Sequence, residues 1–199
     1  MNKSKLFPLS VPIPTLVPKV RSNAERATLH RMIRVDQAGE LGANYIYLGQ
    51  IMALGHRPQL KPLLTHMREQ ELVHHDTFNK LQTEWRVRPS LLTPLWKVGA
   101  VGMGLTTGLL GKEAAMACTE AVETVIGSHY NDQLRTLAKF ENNEEVQFMC
   151  NTIKRFRDEE LEHLDTAVQN DSQLATPYKV ITGVIKGVVK GAVWTAERF

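Results

Sequence analysis

Cysteine is nearly absent from this 199-residue chain: there are two, Cys118 and Cys150, and no Cys-x-x-Cys. That excludes a disulfide framework and a thiolate zinc site, and both are read as small apolar helix residues. An excess of one charge is also missing. Lys and Arg total 24 against 21 Asp and Glu, a net charge of +3, and the basic residues are spread along the chain. No nucleic-acid partner is expected from that balance. There is no secretory apolar core segment and no unbroken apolar run long enough to read as a membrane span. Acidic residues are missing from Met1 to Asn23, which carries Lys3, Lys5, Lys19 and Arg21. That bias is presequence-like, but Pro8, Pro12, Pro14 and Pro18 oppose the amphipathic helix a presequence needs. Residues 1–23 are therefore read as a flexible arm that could hold part of a targeting signal, and residues 24–199 as one domain.

What is present is helical. Breakers and periodicity predict helices over Ala24–Leu54, Gln59–Trp85, Lys112–Lys139, from Asn142-Asn143 to Gln169-Asn170, and Tyr178–Glu197. Gly55 and Pro58 form a stop, Pro62 is tolerated in a first turn, and Val87-Arg88-Pro89 ends the second helix. The short links make two antiparallel helix pairs. The expected fold is all-α: a four-helix bundle with a long crossover and an additional C-terminal amphipathic helix.

Two phrases carry the chemistry: Glu71-Leu72-Val73-His74 and Glu160-Leu161-Glu162-His163. Residues three apart share a helix face, so each Glu-x-x-His can offer a carboxylate and an imidazole to one metal. Glu40 and Glu123 precede them, and corresponding glutamates of the two halves are 83 and 89 residues apart, as in a distant repeat. All fall near mid-helix, where four helices can meet at one level. One Glu-x-x-His arises readily by chance; two, each with an upstream mid-helix glutamate, do not. This is the ligand order of ferritin-like di-metal carboxylate proteins. Four buried carboxylates need cations in the cavity. An oxygen-rich set with one imidazole per metal suits iron or manganese rather than structural zinc. The expected ligands are Glu40, Glu71, His74, Glu123, Glu160 and His163.

Their neighbours have lesser readings. His75 and Glu159 could substitute by geometry but lack the repeat. Glu120 reads as a solvated glutamate, with a supporting place near the metals as the alternative. Asp36 could hold a metal-bound histidine through its free N–H. His30, His56 and His66 read as surface residues. Tyr130, two turns beyond Glu123, and adjacent His129 are expected to line a redox or substrate pocket, with core packing the alternative for Tyr130.

The crossover, Leu91 to Gly111, is apolar, glycine-rich and interrupted only by Lys97. Two readings stand: a buried connecting hairpin, or an in-plane membrane anchor. The last helix has an aliphatic face (Val180, Ile181, Val184, Ile185, Val188, Val189) beside Lys179, Lys186 and Lys190, with Trp194 near its end. Two such segments make a membrane surface an expected partner.

Longer phrases then carry a resemblance. Ile33-Arg34-Val35-Asp36-Gln37-Ala38-Gly39-Glu40 with Gly42-Ala43-Asn44, Arg86-Val87-Arg88-Pro89, Leu110-Gly111-Lys112-Glu113, Ala115-Met116-Ala117-Cys118, His129-Tyr130-Asn131 and Arg157-Asp158-Glu159-Glu160-Leu161-Glu162-His163 resemble the demethoxyubiquinone hydroxylase family. The match runs from about Arg31 to the C-terminus, with every family metal position filled by one of the six residues above. The resemblance implies a di-iron monooxygenase with two Fe ions. It would hydroxylate the ring of a demethoxyubiquinol in ubiquinone biosynthesis, with NADH as electron donor. It further implies an isoprenoid quinone substrate, a lipid-binding accessory protein, a homo-oligomer, and a peripheral place on the matrix side of the mitochondrial inner membrane; a bacterial inner membrane is the alternative. Competing readings are another di-iron oxidase or peroxidase, weakened by the missing rubredoxin-type cysteine pairs, and a non-enzymatic iron-storage or lipid-binding bundle.

Overall fold

A computed structural model describes residues 22–198, so the arm assigned to residues 1–23 lies almost wholly outside the described residues. Six α-helices and one 3-10 turn make up the described chain: α1 (Asn23–Leu54), α2 (Leu60–Glu84), α3 (Thr93–Leu110), α4 (Lys112–Leu137), α5 (Glu144–Gln169) and α6 (Tyr178–Ala196), with the turn at Ser172–Leu174. Local chemistry sets the starts. The Ser22 hydroxyl accepts from the Glu25 N–H at 3.1 Å, and the Asn143 side chain accepts from the Val146 N–H at 2.9 Å. Each satisfies one donor that a helix start leaves unpaired.

Helices α1 and α2 form one antiparallel pair and α4 and α5 the other; α3 packs along α1, and α6 along α4. Two apolar clusters fill the bundle on either side of the glutamate level. One gathers Leu29, Ile33, Phe78, Leu81, Ile153 and Phe156; the other Leu54, Leu64, Met67 and Met116. Both cysteines are free, and Cys118 is buried in α4.

The crossover corrects the hairpin reading. It is one continuous helix, because its glycines are contact points rather than breaks. A methyl group on Gly104 would sit 2.0 Å from the Ile46 carbonyl oxygen, and one on Gly49 would sit 2.4 Å from that of Val101. Helices α1 and α3 therefore touch backbone to backbone. A single residue, Gly111, then turns the chain into α4 with φ +122°, a conformation open mainly to glycine.

Glu120 is also corrected. It is buried and accepts hydrogen bonds from the Ser172 hydroxyl and the Tyr178 phenol, tying α4 to the start of α6. At the other end of α6, Arg34 of α1 donates to the carbonyls of Ala196 and Glu197 at 3.1 and 2.7 Å. Those carbonyls are among the acceptors a helix end leaves free.

Candidate metal centre

Mid-bundle, α1 contributes Glu40, α2 contributes Glu71 and His74, α4 contributes Glu123, and α5 contributes Glu160 and His163. None of the six is more than 2% exposed. They form two overlapping sets, Glu40/Glu71/His74/Glu160 and Glu71/Glu123/Glu160/His163, in each of which the ligating atoms lie within 4.8 Å of one another. Glu71 and Glu160 belong to both sets. His74 Nδ1 is 3.0 Å from Glu160 Oε1 and 3.3 Å from Glu40 Oε2. His163 Nδ1 is 3.1 Å from Glu71 Oε1 and 3.2 Å from Glu160 Oε2.

Of the twelve buried side-chain atoms without a hydrogen-bond partner among the described residues, five fall in these sets. Both Glu71 oxygens, Glu123 Oε2, Glu160 Oε1 and His74 Nδ1 are buried without a hydrogen-bond partner. Buried polar atoms are rarely left so, because each forfeits its hydration. Here they converge on a space two divalent cations would fill, and the donor chemistry fits iron.

Electrostatics report the same strain. Burial, then Glu160 and Glu40, push the Glu71 carboxyl well above the carboxylate range. Burial, then Glu160 and Glu71, do the same to Glu123. Burial opposes protonation of His74, but Glu40 and the approaches of Glu159 and Glu160 carry its pKa well above the imidazole range. Burial would raise Glu160, yet its contacts with His163 and His74 hold it down at about 2. Protons on Glu71, Glu123 and the imidazoles do what metal cations would do better.

Several neighbours hold the six in place. His74 Nε2 meets Glu159 Oε2 at 2.6 Å, and Arg155 braces that carboxylate at 2.9 Å. His163 Nε2 meets Gln70 Oε1 at 3.1 Å. The Tyr130 phenol donates to Glu40 Oε1, and the Tyr47 phenol donates to Glu123 Oε1 at 3.0 Å. Tyr47 escaped sequence reasoning, although a signal existed: it follows Glu40 by the same seven residues that separate Tyr130 from Glu123. Glu159, a ligand candidate by geometry, instead backs the opposite histidine. His75 lies off the cluster, against Gln37 and Asn79. Asp36 approaches His129, at 3.5 Å, and accepts from Gln133 at 2.7 Å; it does not reach His74 or His163, so its expected role on a metal-bound histidine is corrected. His56 and His66 are exposed as expected, while His30 is half-buried.

Beside the cluster, α1, α3, α4 and α6 enclose an apolar cavity of about 210 Å³. Gly39, Gly42, Trp96, Met103, Val122 and Val193 are among its walls. Gly39 and Val122 immediately precede Glu40 and Glu123, so cavity and donor cluster share two helices. A methyl group on Gly42 would meet nothing within 4 Å. This glycine opens space rather than allowing two backbones to touch. Tyr130 and His129 are not among the lining residues.

The family described as ubiquinone biosynthesis protein COQ7 matches residues 27–196. The mitochondrial 5-demethoxyubiquinone hydroxylase of Saccharomyces cerevisiae is 59% identical over 188 residues, covering 89% of this chain and 81% of the relative. The mitochondrial NADPH-dependent 3-demethoxyubiquinone 3-hydroxylase of Homo sapiens is 47% identical, covering 88% and 80%. The 3-demethoxyubiquinol 3-hydroxylase of Rhodospirillum rubrum is 46% identical, covering 86% and 79%. With its helical bundle, its buried carboxylate–imidazole cluster and this breadth of identity, the chain belongs to the COQ7 family of ubiquinone biosynthesis proteins.

Proposed function

We propose that this chain is a di-iron monooxygenase that hydroxylates the ring of a demethoxyubiquinol intermediate in ubiquinone biosynthesis. The observation that carries the reading is the buried six-residue donor cluster sharing α1 and α4 with an apolar cavity. Two bound iron ions would supply reductive activation of dioxygen.

The chain's own residues supply the setting. Glu40, Glu71, His74, Glu123, Glu160 and His163 hold the ions. Tyr130 keeps a proton one hydrogen bond from Glu40, and His129 stands next to it, paired with Asp36 and Gln133. That pair forms the redox side of the site. The cavity walls exclude water and accept apolar substrate. An isoprenoid quinone dissolves in a bilayer, and the outer faces of α3 and α6 suit one: Leu95, Val98, Leu109, Val184 and Trp194 are exposed. No helix among the described residues is long and apolar enough to cross a membrane; the exposed apolar faces of α3 and α6 support a place for them on its surface. We assign the matrix face of the mitochondrial inner membrane, a lipid-binding accessory protein as partner, and a homo-oligomer. The electrons come from a reduced nicotinamide. The resemblance implies NADH, and the human relative's name states NADPH; parallel turnover with each reductant decides between them.

The test is iron content and turnover of detergent-purified protein, beside Glu160→Ala. About two irons per chain, lost in the variant, and one atom of ¹⁸O from labelled dioxygen in the quinol product are expected. Protein that takes up no iron after anaerobic Fe(II) loading, or product without label, overturns the reading.

A further inference from the structure

The two halves of the cluster are matched donor for donor. Each set has three carboxylates and one imidazole, and shares Glu71 and Glu160. Each terminal glutamate accepts from a tyrosine of the other half's helix: Glu40 from Tyr130, Glu123 from Tyr47. Each imidazole turns Nδ1 to the donors and Nε2 away. In both halves, Nε2 meets the residue that immediately precedes the glutamate of the opposite Glu-x-x-His. Here the match breaks. For His74 that residue is Glu159, a carboxylate at 2.6 Å braced by Arg155; for His163 it is Gln70, a neutral amide at 3.1 Å. The ring faces also differ, His74 stacking on Phe156 and His163 meeting Tyr47 edge-on, but these contacts carry no charge.

An imidazole that donates its far N–H to a carboxylate becomes a more basic ligand than one that donates to an amide. We propose that Glu159 and Gln70 make the two metal positions unequal, so that the Glu40/His74 position binds its ion first and more tightly than the Glu123/His163 position. The inference rests on the di-iron reading above. Glu159 and Gln70 are positioning residues: they act through the histidines and touch no ion. Outer partners of this kind shift metal affinity by about 10- to 100-fold, and that is the expected ratio between the two positions.

Anaerobic titration of the metal-free full chain with Fe(II), followed by calorimetry and by Mössbauer spectroscopy of ⁵⁷Fe added as the first or second equivalent, tests this. Wild type should show two steps and two quadrupole doublets filled in order. Glu159→Gln should alter the doublet of the first-bound ion and narrow the ratio. Gln70→Glu should alter that of the second and narrow the ratio from the other side. The charge-conserving double exchange, Gln70→Glu with Glu159→Gln, should reverse the filling order, and circular dichroism checks that each variant is folded. A single step with one doublet in wild type, or an unchanged ratio in both folded single variants, overturns the inequality. Failure of wild type to bind two irons at all overturns the di-iron reading instead, so the two failures are distinguishable.

Discussion

The contact between α1 and α3 makes a sharp test, because two glycines of one helix must answer the same substitution with opposite signs. In Gly104→Ala the new methyl carbon would lie 2.0 Å from the Ile46 carbonyl oxygen and 2.8 Å from its carbon. Carbon–oxygen contacts settle at about 3.3 Å or more, so the two backbones must part by roughly 1.3 Å. Neither contact atom is the tip of a flexible side chain, so the strain has nowhere cheap to go. Overpacking of this kind costs about 1–3 kcal/mol. For a domain of this size, each kcal/mol moves Tm by roughly 2–4 °C, so a fall of about 2–12 °C is expected. Two residues away, a methyl group on Gly102 would meet nothing within 4 Å. Gly102→Ala should therefore gain about 0.5–1 kcal/mol by restricting the unfolded chain and favouring helix. Thermal unfolding by circular dichroism reads both. Iron content should be unchanged in either variant, since α3 supplies no residue of the donor cluster. Turnover of a long-tailed quinol should fall in Gly104→Ala, because displaced α3 carries the cavity walls at Trp96, Ala100 and Met103. Equal melting temperatures for the two variants would refute the backbone contact as the reason α3 holds its place.

Two further outcomes follow from charge and exposure. In the metal-free chain, Glu71, Glu123, His74 and His163 all have raised pKa values, so each contributes stability at low pH that is lost as pH rises. Glu160, held at about 2, has the opposite sign, and its contribution is complete once pH exceeds its unfolded value. The metal-free protein should melt lower at about pH 8 than at about pH 5.5, and iron should level that trend by displacing the protons. A metal-free Tm that climbs across this window would contradict the assignment. At the outer faces of α3 and α6, Val98 and Val184 are 72% and 61% exposed. Val98→Asp with Val184→Asp should weaken co-sedimentation with anionic vesicles and leave Tm within about 1 °C, as exposed substitutions usually do. Undiminished co-sedimentation would remove these faces from the membrane assignment.

The bundle helices were legible because their signals are local. Gly55, Pro58, Pro62, Pro89 and Asn143 act within a few residues, and α1, α2, α4, α5 and α6 begin and end within about two residues of their expected bounds. The six donors were legible for a related reason: a three-residue spacing and mid-helix position are properties of one helix at a time. α3 was harder, since glycine reads as a breaker in sequence, and only the neighbouring helix shows that Gly49 and Gly104 are points of contact. The same applies to Asp36 and Glu120, whose partners lie 93 to 97 and 52 to 58 residues away.

By itself, then, the sequence determined the helices other than α3, the set of convergent carboxylates and imidazoles, and the resemblance that names their chemistry. The tertiary structure alone decided what stands behind each donor: Tyr47 on Glu123, Tyr130 on Glu40, Glu159 on His74, Gln70 on His163, and the cavity that α3 and α6 close against α1 and α4. The division is physical. Periodicity fixes which face of a helix a residue occupies, whereas a hydrogen bond or a cavity wall depends on which helix is packed opposite, and at what depth.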